Sequence, residues 1–331
     1  INLVRRRIYM KGWQFTNTNV PLKLVEKPDP VVKPGFVIIE VKAAGLCHSD
    51  VAALEDPGWI GIITAHPMYM GHENAGVIIE VGEGVEGFKV GDRVGIAPIS
   101  AKLSAETGRS WAIGYQCDGG YADKCMVPED CLVPLPDNVS FVEGAAATDA
   151  GMTSYHALYV AGGVKPGMKV GIIGVGGLGQ FAVGMLLIDN CDVYACDISP
   201  EARKLAEEMG VKQVYESVSD LAPAQCEVIV DFAGFGQTTA DALEAVAPGG
   251  KVVVVGMGKL ESTINTRTLI LKQAQLVGSC GGTAEDIKEV YRYFATGKLK
   301  PILHEISFDE IPEGLERLRR GEVKGRLVAV R

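Results

Sequence analysis

The chain reads as an α/β protein of two domains, one β-rich and barrel-like, the other a doubly wound parallel sheet. Its 331 residues exceed what one hydrophobic core usually fills, since single cores seldom grow well past about 250 residues. Up to about residue 145, short β-type runs alternate with glycine and proline. From Lys169 the rhythm changes to strand, helix, strand, which implies a parallel sheet with helices on both faces.

In the first part the strand candidates are FVIIEVKAAG (36–45), AGVIIEVG (75–82) and DRVGIAP (92–98). The Arg5-Arg6-Arg7 run reads as a solvated strand start. The second part runs KVGIIG, GGLGQFAVGMLLI, DVYACD, SPEARKLAEEMG, CEVIVDFAG, a helix to Val246, then GKVVVVGM. After the helical stretch DIKEVYRYFATG (286–297), the tail passes through a helix near Pro312–Arg320 and ends in GRLVAV, a strand able to return to the first domain.

Composition excludes several classes. A net charge of −9 and a sequence pI near 5.2, with no long basic stripe, argue against nucleic acid and anionic membrane surfaces as partners. The longest apolar stretch, Phe181–Ile188, is far short of the roughly 20 residues of a membrane span, and no signal peptide is visible, so a cytoplasmic location is expected. Eight scattered cysteines lack the dense framework of a small secreted fold and read as reduced thiols.

The glycine run GVGGLG carries the first chemistry. Gly174, Gly176, Gly177 and Gly179, with Leu178 among them, follow the apolar strand KVGIIG and open a helix. That places backbone N–H groups and a helix N-terminus where a pyrophosphate could sit. Asp197 ends the next strand eighteen residues after Gly179, where a carboxylate can accept hydrogen bonds from an adenosine ribose. A 2′-phosphate would meet a like charge there, so NAD(H) is favoured over NADP(H); Arg203 and Lys204 close behind leave a phosphorylated cofactor as the alternative. The bland reading is a turn glycine cluster followed by an ordinary strand-end aspartate.

Cys47 and His72 carry the second. Each alone is more often a core residue than a ligand, but their neighbours favour a metal. Asp50 stands three positions after Cys47 as a possible acceptor for an imidazole N–H, and Glu73 sits beside His72 as a carboxylate able to join or tune a coordination sphere. Zinc can hold an alkoxide or polarise a carbonyl but cannot accept a hydride; a nicotinamide can. The two motifs together point to metal-assisted hydride transfer.

With these residues in view, the chain resembles the zinc-dependent medium-chain alcohol dehydrogenases nearly end to end. The resemblance is carried by GLCHSD (45–50), HPMYMGHENAG (66–76), VGEGVEGFKVGDRV (81–94), DGGYADKCMVP (118–128), the glycine fingerprint with Asp197, VDFAG (230–234) and GSCGGTAED (278–286). It implies a GroES-like catalytic domain of residues 1–147 completed by 298–331, a Rossmann domain of residues 148–297, and an active site in the cleft. It further implies Cys47 and His72 as zinc ligands, and Asp149 in AAATDAGMTSYHAL as the third, where many relatives carry cysteine. Thiolate, carboxylate and neutral imidazole still leave Zn²⁺ with no formal net charge. The alternative for Asp149 is a helix N-cap.

By the same resemblance Ser49 takes the proton from the substrate hydroxyl, Thr153 and Leu178 lie against the nicotinamide, and Arg326 and His48 lie near the phosphates. His66, His156 and His304 are read as structural. Two departures from the family matter. Residues 96–117 hold Cys117 alone rather than four close cysteines, so one catalytic zinc and no structural zinc is expected. Ala52 stands where many relatives place a proton-relay histidine. The expected reaction is reversible oxidation of a small-molecule alcohol to an aldehyde or ketone, with Trp59, Ile60 and Trp111 leaning toward a secondary, cyclic or bulky one. The competing readings are a zinc-free enoyl or quinone reductase of the same superfamily and a non-catalytic nucleotide-binding protein. A homodimer or homotetramer joined through residues 268–280 is expected.

Overall fold

The computed structural model describes residues 9–331; the Arg5–Arg7 run lies outside the described residues. In chain order the strands are β1 (Tyr9–Phe15), β2 (Lys23–Pro28), β3 (Phe36–Gly45), β4 (Met68–Tyr69), β5 (Glu73–Val81), β6 (Arg93–Ile96), β7 (Lys124–Pro128), β8 (Leu132–Pro134), β9 (Lys169–Ile173), β10 (Asp192–Cys196), β11 (Gln213–Tyr215), β12 (Val228–Asp231), β13 (Lys251–Val254), β14 (Gln275–Gly278), β15 (Leu303–Ser307) and β16 (Arg326–Val330). The α-helices are α1 (His48–Glu55), α2 (Ala101–Thr107), α3 (Phe141–Ala146), α4 (Met152–Tyr155), α5 (Gly179–Ile188), α6 (Pro200–Met209), α7 (Gln237–Ala245), α8 (Thr266–Lys272), α9 (Ala284–Ala295) and α10 (Ile311–Arg319).

The chain divides into two compact units. The first holds the described residues up to Asp149 together with Leu303–Arg331, the second Ala150–Ile302. The sequence boundaries at 147 and 297 both shift toward the C-terminus, to 149 and 302, for local reasons. Asp149 is tied to Cys47 and Arg326 of the first unit. Ile302 is held by Gln180, which accepts from its N–H at 2.7 Å and donates to its carbonyl at 3.3 Å.

The first unit is the β-rich one. A seven-stranded sheet runs β15-β16-β3-β5-β6-β8 with β7 also on β3, and a three-stranded sheet runs β2-β1-β4. The last strand does return here: β16 pairs antiparallel with β3, setting Val328 opposite Gly45. On its other side β3 pairs with β5, setting Gly45 opposite Glu73. Runs such as Val37, Ile38, Ile39 and Val41 on β3 are buried, and so anchor the core beneath the candidate metal ligands.

The second unit is a parallel six-stranded sheet in the order β11-β10-β9-β12-β13-β14. Its order reverses between β9 and β12, the switch point at which doubly wound sheets bind ligands. The strand VIVD of β12 is wholly buried, as strands covered on both faces are. Helix ends follow local rules. Ser199 caps α6 by accepting the Ala202 N–H, Pro200 occupies its first turn, and Gly210 ends it at φ +94. Thr283 and Asp286 form a capping box on α9, whose Ile287, Val290, Tyr291 and Phe294 make the buried face. No helix among the described residues is long and apolar enough to cross a membrane.

Candidate active site

Three segments of the first unit bring the metal candidates together. The turn after β3 delivers Cys47, the start of β5 delivers His72 and Glu73, and a π-helical turn at Ala147–Gly151 delivers Asp149. The helical run holding Asp149 is capped nine residues earlier, at the start of α3, by Ser140, whose hydroxyl accepts the Glu143 N–H. Asp149 is therefore not the N-cap, and π-turns of this kind are frequent at functional sites.

The ligand atoms of Cys47, His72, Glu73 and Asp149 all lie within 4.8 Å of one another. Cys47 Sγ stands 3.4 Å from Asp149 Oδ2. His72 Nε2 stands 3.9 Å from both Asp149 Oδ2 and Glu73 Oε1, too far for hydrogen bonds. Ligands bound to zinc at about 2.0–2.3 Å in a tetrahedron lie roughly 3.3–3.8 Å apart, so this thiol, imidazole and carboxylate set fits that ion.

Behind the ligands lies a buried carboxylate. Asp50 Oδ2 accepts the Cys47 N–H at 3.1 Å and the Tyr121 hydroxyl at 2.7 Å, while Oδ1 lies 3.2 Å from His72 Nδ1 with no other donor among the described residues. A proton on Nδ1 answers that orphaned oxygen and leaves Nε2 free to ligate. Burial opposes charge on the His72 ring, but the Asp50 carboxylate outweighs it and raises the imidazole well above its ordinary range. Burial, then Asp50, raises Tyr121, so its hydroxyl remains a donor.

Arg326 closes the charge balance. Register sets Glu73 of β5 opposite Gly45 on one side of β3, while β16, whose Val328 faces Gly45 on the other side, carries Arg326 two positions earlier; the missing side chain at Gly45 gives the Glu73 carboxylate its room: a Cβ there would overlap it. Arg326 Nε donates to Glu73 Oε2 at 3.2 Å, and Nη2 donates to Glu73 Oε1 and, at 3.0 Å, to Asp149 Oδ2. The resemblance assigns Arg326 to a cofactor phosphate; here these donated hydrogen bonds go to carboxylates, and the residue is 3% exposed. Ser49 Oγ lies 3.5 Å from Cys47 Sγ, and His48 is exposed at the start of α1.

An aromatic wall adjoins His72. The Tyr115 ring lies 5.4 Å from the imidazole and 6.0 Å from the Trp59 ring, and its hydroxyl lies 3.4 Å from His72 Nδ1. Burial, then Asp50, Cys47 and Asp149, raises the Tyr115 phenol well above its ordinary range. Ile60 and Trp111 are half-buried. Sequence reasoning assigned no role to Tyr115 or Tyr121; Tyr121 stood inside the quoted DGGYADKCMVP, with nothing local to signal a partner 71 positions away. The Cys117 and Cys125 thiols donate to the Asp118 carbonyl. His156 pairs with Asp286, and His304 with the Lys324 carbonyl.

In the second unit the glycine turn leaves β9 at the switch point. Gly174 has φ +87, and a Cβ on Gly179 would overlap the Gly174 carbonyl, whereas nothing lies within 4 Å of a Cβ on Gly176. Asp197 binds the turn to the end of β10: Oδ2 accepts the Val175 N–H and Oδ1 the Ser199 N–H, each at 2.8 Å. Arg203 donates to the carbonyls of Asp197 and Ile198 and pairs with Glu216 at 3.2 Å. Leu178 is half-buried, and its carbonyl accepts the Ser154 hydroxyl; Thr153 is buried on α4.

Comparison with known proteins places this geometry in context. The alcohol dehydrogenase GroES-like domain matches residues 33–137, and the zinc-binding dehydrogenase domain matches residues 177–296. An alcohol dehydrogenase of Geobacillus stearothermophilus is 36% identical over 96% of this chain and 98% of its own. The solved alcohol dehydrogenase of the archaeon Aeropyrum pernix superposes with a TM-score of 0.87 at 30% identity, over 97% of this chain and 100% of that one. The acetophenone reductase of Geotrichum candidum, solved in complex with NAD, superposes with a TM-score of 0.87 at 28% identity, over 99% and 98%.

Proposed function

The chain belongs to the zinc-binding medium-chain alcohol dehydrogenase family, and from that premise we propose that it is an NAD(H)-dependent enzyme interconverting an alcohol with its aldehyde or ketone at a single zinc. The observation that carries this reading is the convergence of the ligand atoms of Cys47, His72, Glu73 and Asp149 within 4.8 Å of one another. When bound, zinc supplies a Lewis acid for the substrate oxygen and NAD⁺ supplies the hydride acceptor.

Cys47, His72 and Asp149 hold the metal in this reading. Asp50 keeps the His72 proton on Nδ1, and Arg326 neutralises Glu73 so that a further buried carboxylate is not left uncompensated. Ser49, beside Cys47, receives the proton from the alcohol at Oγ. Ala52 offers no imidazole to relay that proton onward. At the glycine turn, Gly176 would let the backbone approach a pyrophosphate, and Thr153 and Leu178 would hold the nicotinamide. Asp197 retains lone pairs for the ribose hydroxyls. Arg203 is engaged with two carbonyls and Glu216, which leaves a 2′-phosphate facing the Asp197 charge and favours NAD(H).

The lean toward a secondary, cyclic or bulky alcohol, read from Trp59, Ile60 and Trp111, is supported by the Trp59 and Tyr115 rings, 6.0 Å apart beside His72. Assembly as a homodimer or homotetramer is supported by the edge position of β14 and by Ile270 and Leu271 on α8, 70% and 71% exposed. The test is elemental analysis of wild type, Cys47→Ala and Asp149→Ala beside NAD⁺-dependent oxidation of primary, secondary and cyclic alcohols. One zinc per chain, lost with activity in both variants, supports the reading. Full activity without zinc would overturn it in favour of a zinc-free reductase.

A further inference from the structure

We infer that Tyr121 is a positioning residue that acts through Asp50 to keep the His72 proton on Nδ1 and so holds Nε2 ready for the metal; this rests on the zinc reading above. Asp50 Oδ2 has two donors. One, the Cys47 N–H at 3.1 Å, belongs to the ligand segment itself. The other, the Tyr121 hydroxyl at 2.7 Å, comes from a different part of the chain and serves as the outside reference. The same hydroxyl also lies 3.2 Å from the Gly45 carbonyl, at the end of β3.

Tyr121 is itself fixed. Its N–H donates to the Met70 carbonyl and its carbonyl accepts the Trp13 N–H, both at 2.8 Å. The Gly119 and Gly120 N–H groups donate to the Tyr69 and Gly71 carbonyls, also at 2.8 Å, so residues 119–121 are laced to the segment that leads into His72. The phenol ring fills the space that only glycine leaves at 71, where φ is +95 and a Cβ would overlap the ring. With Oδ2 held in this way, Oδ1 faces His72 Nδ1 at 3.2 Å.

A competitor makes the hydroxyl necessary. Tyr115 lies 3.4 Å from the same Nδ1, and an O–H donated there would move the ring proton to Nε2, the tautomer that cannot ligate. Tyr121 opposes this by keeping Asp50 aimed as the acceptor of an Nδ1–H.

The test uses the full chain as wild type, Tyr121→Phe and Tyr115→Phe. Zinc affinity is read by competition with a chromophoric chelator, and the His72 tautomer by ¹⁵N NMR of the metal-free protein at alkaline pH. Outer-shell partners of metal-binding histidines typically set metal affinity by about 10–100-fold. Tyr121→Phe is expected to weaken zinc at least about tenfold and shift His72 toward the Nε2–H tautomer, with the melting midpoint of the metal-free protein little changed. Tyr115→Phe is expected to retain or gain affinity. Unchanged affinity and an Nδ1–H ring in Tyr121→Phe would overturn the inference, as would an affinity loss confined to Tyr115→Phe. A wild type that takes up no zinc would sink the zinc reading alone, because the tautomer still decides the role of Tyr121.

Discussion

Replacing Arg326 by Gln tests the charge balance of the proposed metal centre. The guanidinium is 3% exposed and its main partner, Glu73, is 0% exposed, so neither charge is compensated by solvent. Removing one partner of a buried ion pair typically costs about 3–5 kcal/mol, because the survivor is left charged and unpaired. Here the survivor is Glu73, with Asp149 losing a 3.0 Å hydrogen bond as well. Arg326→Gln should therefore destabilise the first unit by about 3–5 kcal/mol in chelator-treated protein. Zinc loading should reduce that loss, because the cation takes over part of the neutralisation. Glu73→Gln combined with Arg326→Gln should cost less than the sum of the two, since each then lacks the partner the other has lost. Urea titration followed by tryptophan fluorescence reads this unit selectively, because Trp13, Trp59 and Trp111 all precede Asp149. A loss below about 1 kcal/mol in the metal-free protein, the range of a solvent-screened pair, would refute the argument.

Two glycines of the proposed cofactor turn should separate stability from binding. Gly179→Ala presses a Cβ onto the Gly174 carbonyl and should cost about 1–3 kcal/mol of stability. Gly176→Ala meets open space and should stay within about 0.5 kcal/mol of wild type while weakening NAD⁺ roughly tenfold or more, about 1.4 kcal/mol. Thermal melts beside calorimetric NAD⁺ titrations check this pair, and equal NAD⁺ affinity in Gly176→Ala would argue against close backbone approach. Gly45→Ala should weaken zinc uptake and destabilise the first unit by about 1–3 kcal/mol, because the new methyl displaces a Glu73 carboxylate held by Arg326; wild-type zinc affinity in this variant would contradict that. The pH dependence has a definite sign. Burial opposes the His72 charge but Asp50 outweighs it, so the folded pKa is raised above the ordinary 6.5. The stability from this pair is thus fully present below pH 6.5 and lost as pH rises through the folded value. The stability difference between metal-free wild type and His72→Gln should accordingly shrink on the alkaline side; a difference growing with pH would reverse the assignment.

Much of the fold was legible because it is written in local patterns. The βα rhythm from Lys169 and the glycine turn before α5 gave the parallel sheet, and the β-type runs at 36–45 and 75–82, set off by glycine and proline, gave β3 and β5. Cys47, His72 and Glu73 stood out because each sits among neighbours whose chemistry agrees. The unit boundaries were less legible. They depend on where Asp149 and Ile302 find partners, and those contacts are long-range.

What the sequence determined by itself was the residue types at the site and the order of the elements, since periodicity, turns and caps act over a few positions. The tertiary structure decided which of those residues meet. The register of β16 and β5 on either side of β3 brings Arg326 to Glu73 across 253 positions, and the lacing of 119–121 to 69–71 brings the Tyr121 hydroxyl to Asp50. No local propensity encodes a meeting between strands so far apart. Sheet register fixes the first, since a slip of one residue would turn Glu73 or Arg326 to the other face, and the backbone hydrogen bonds of residues 119–121 fix the second.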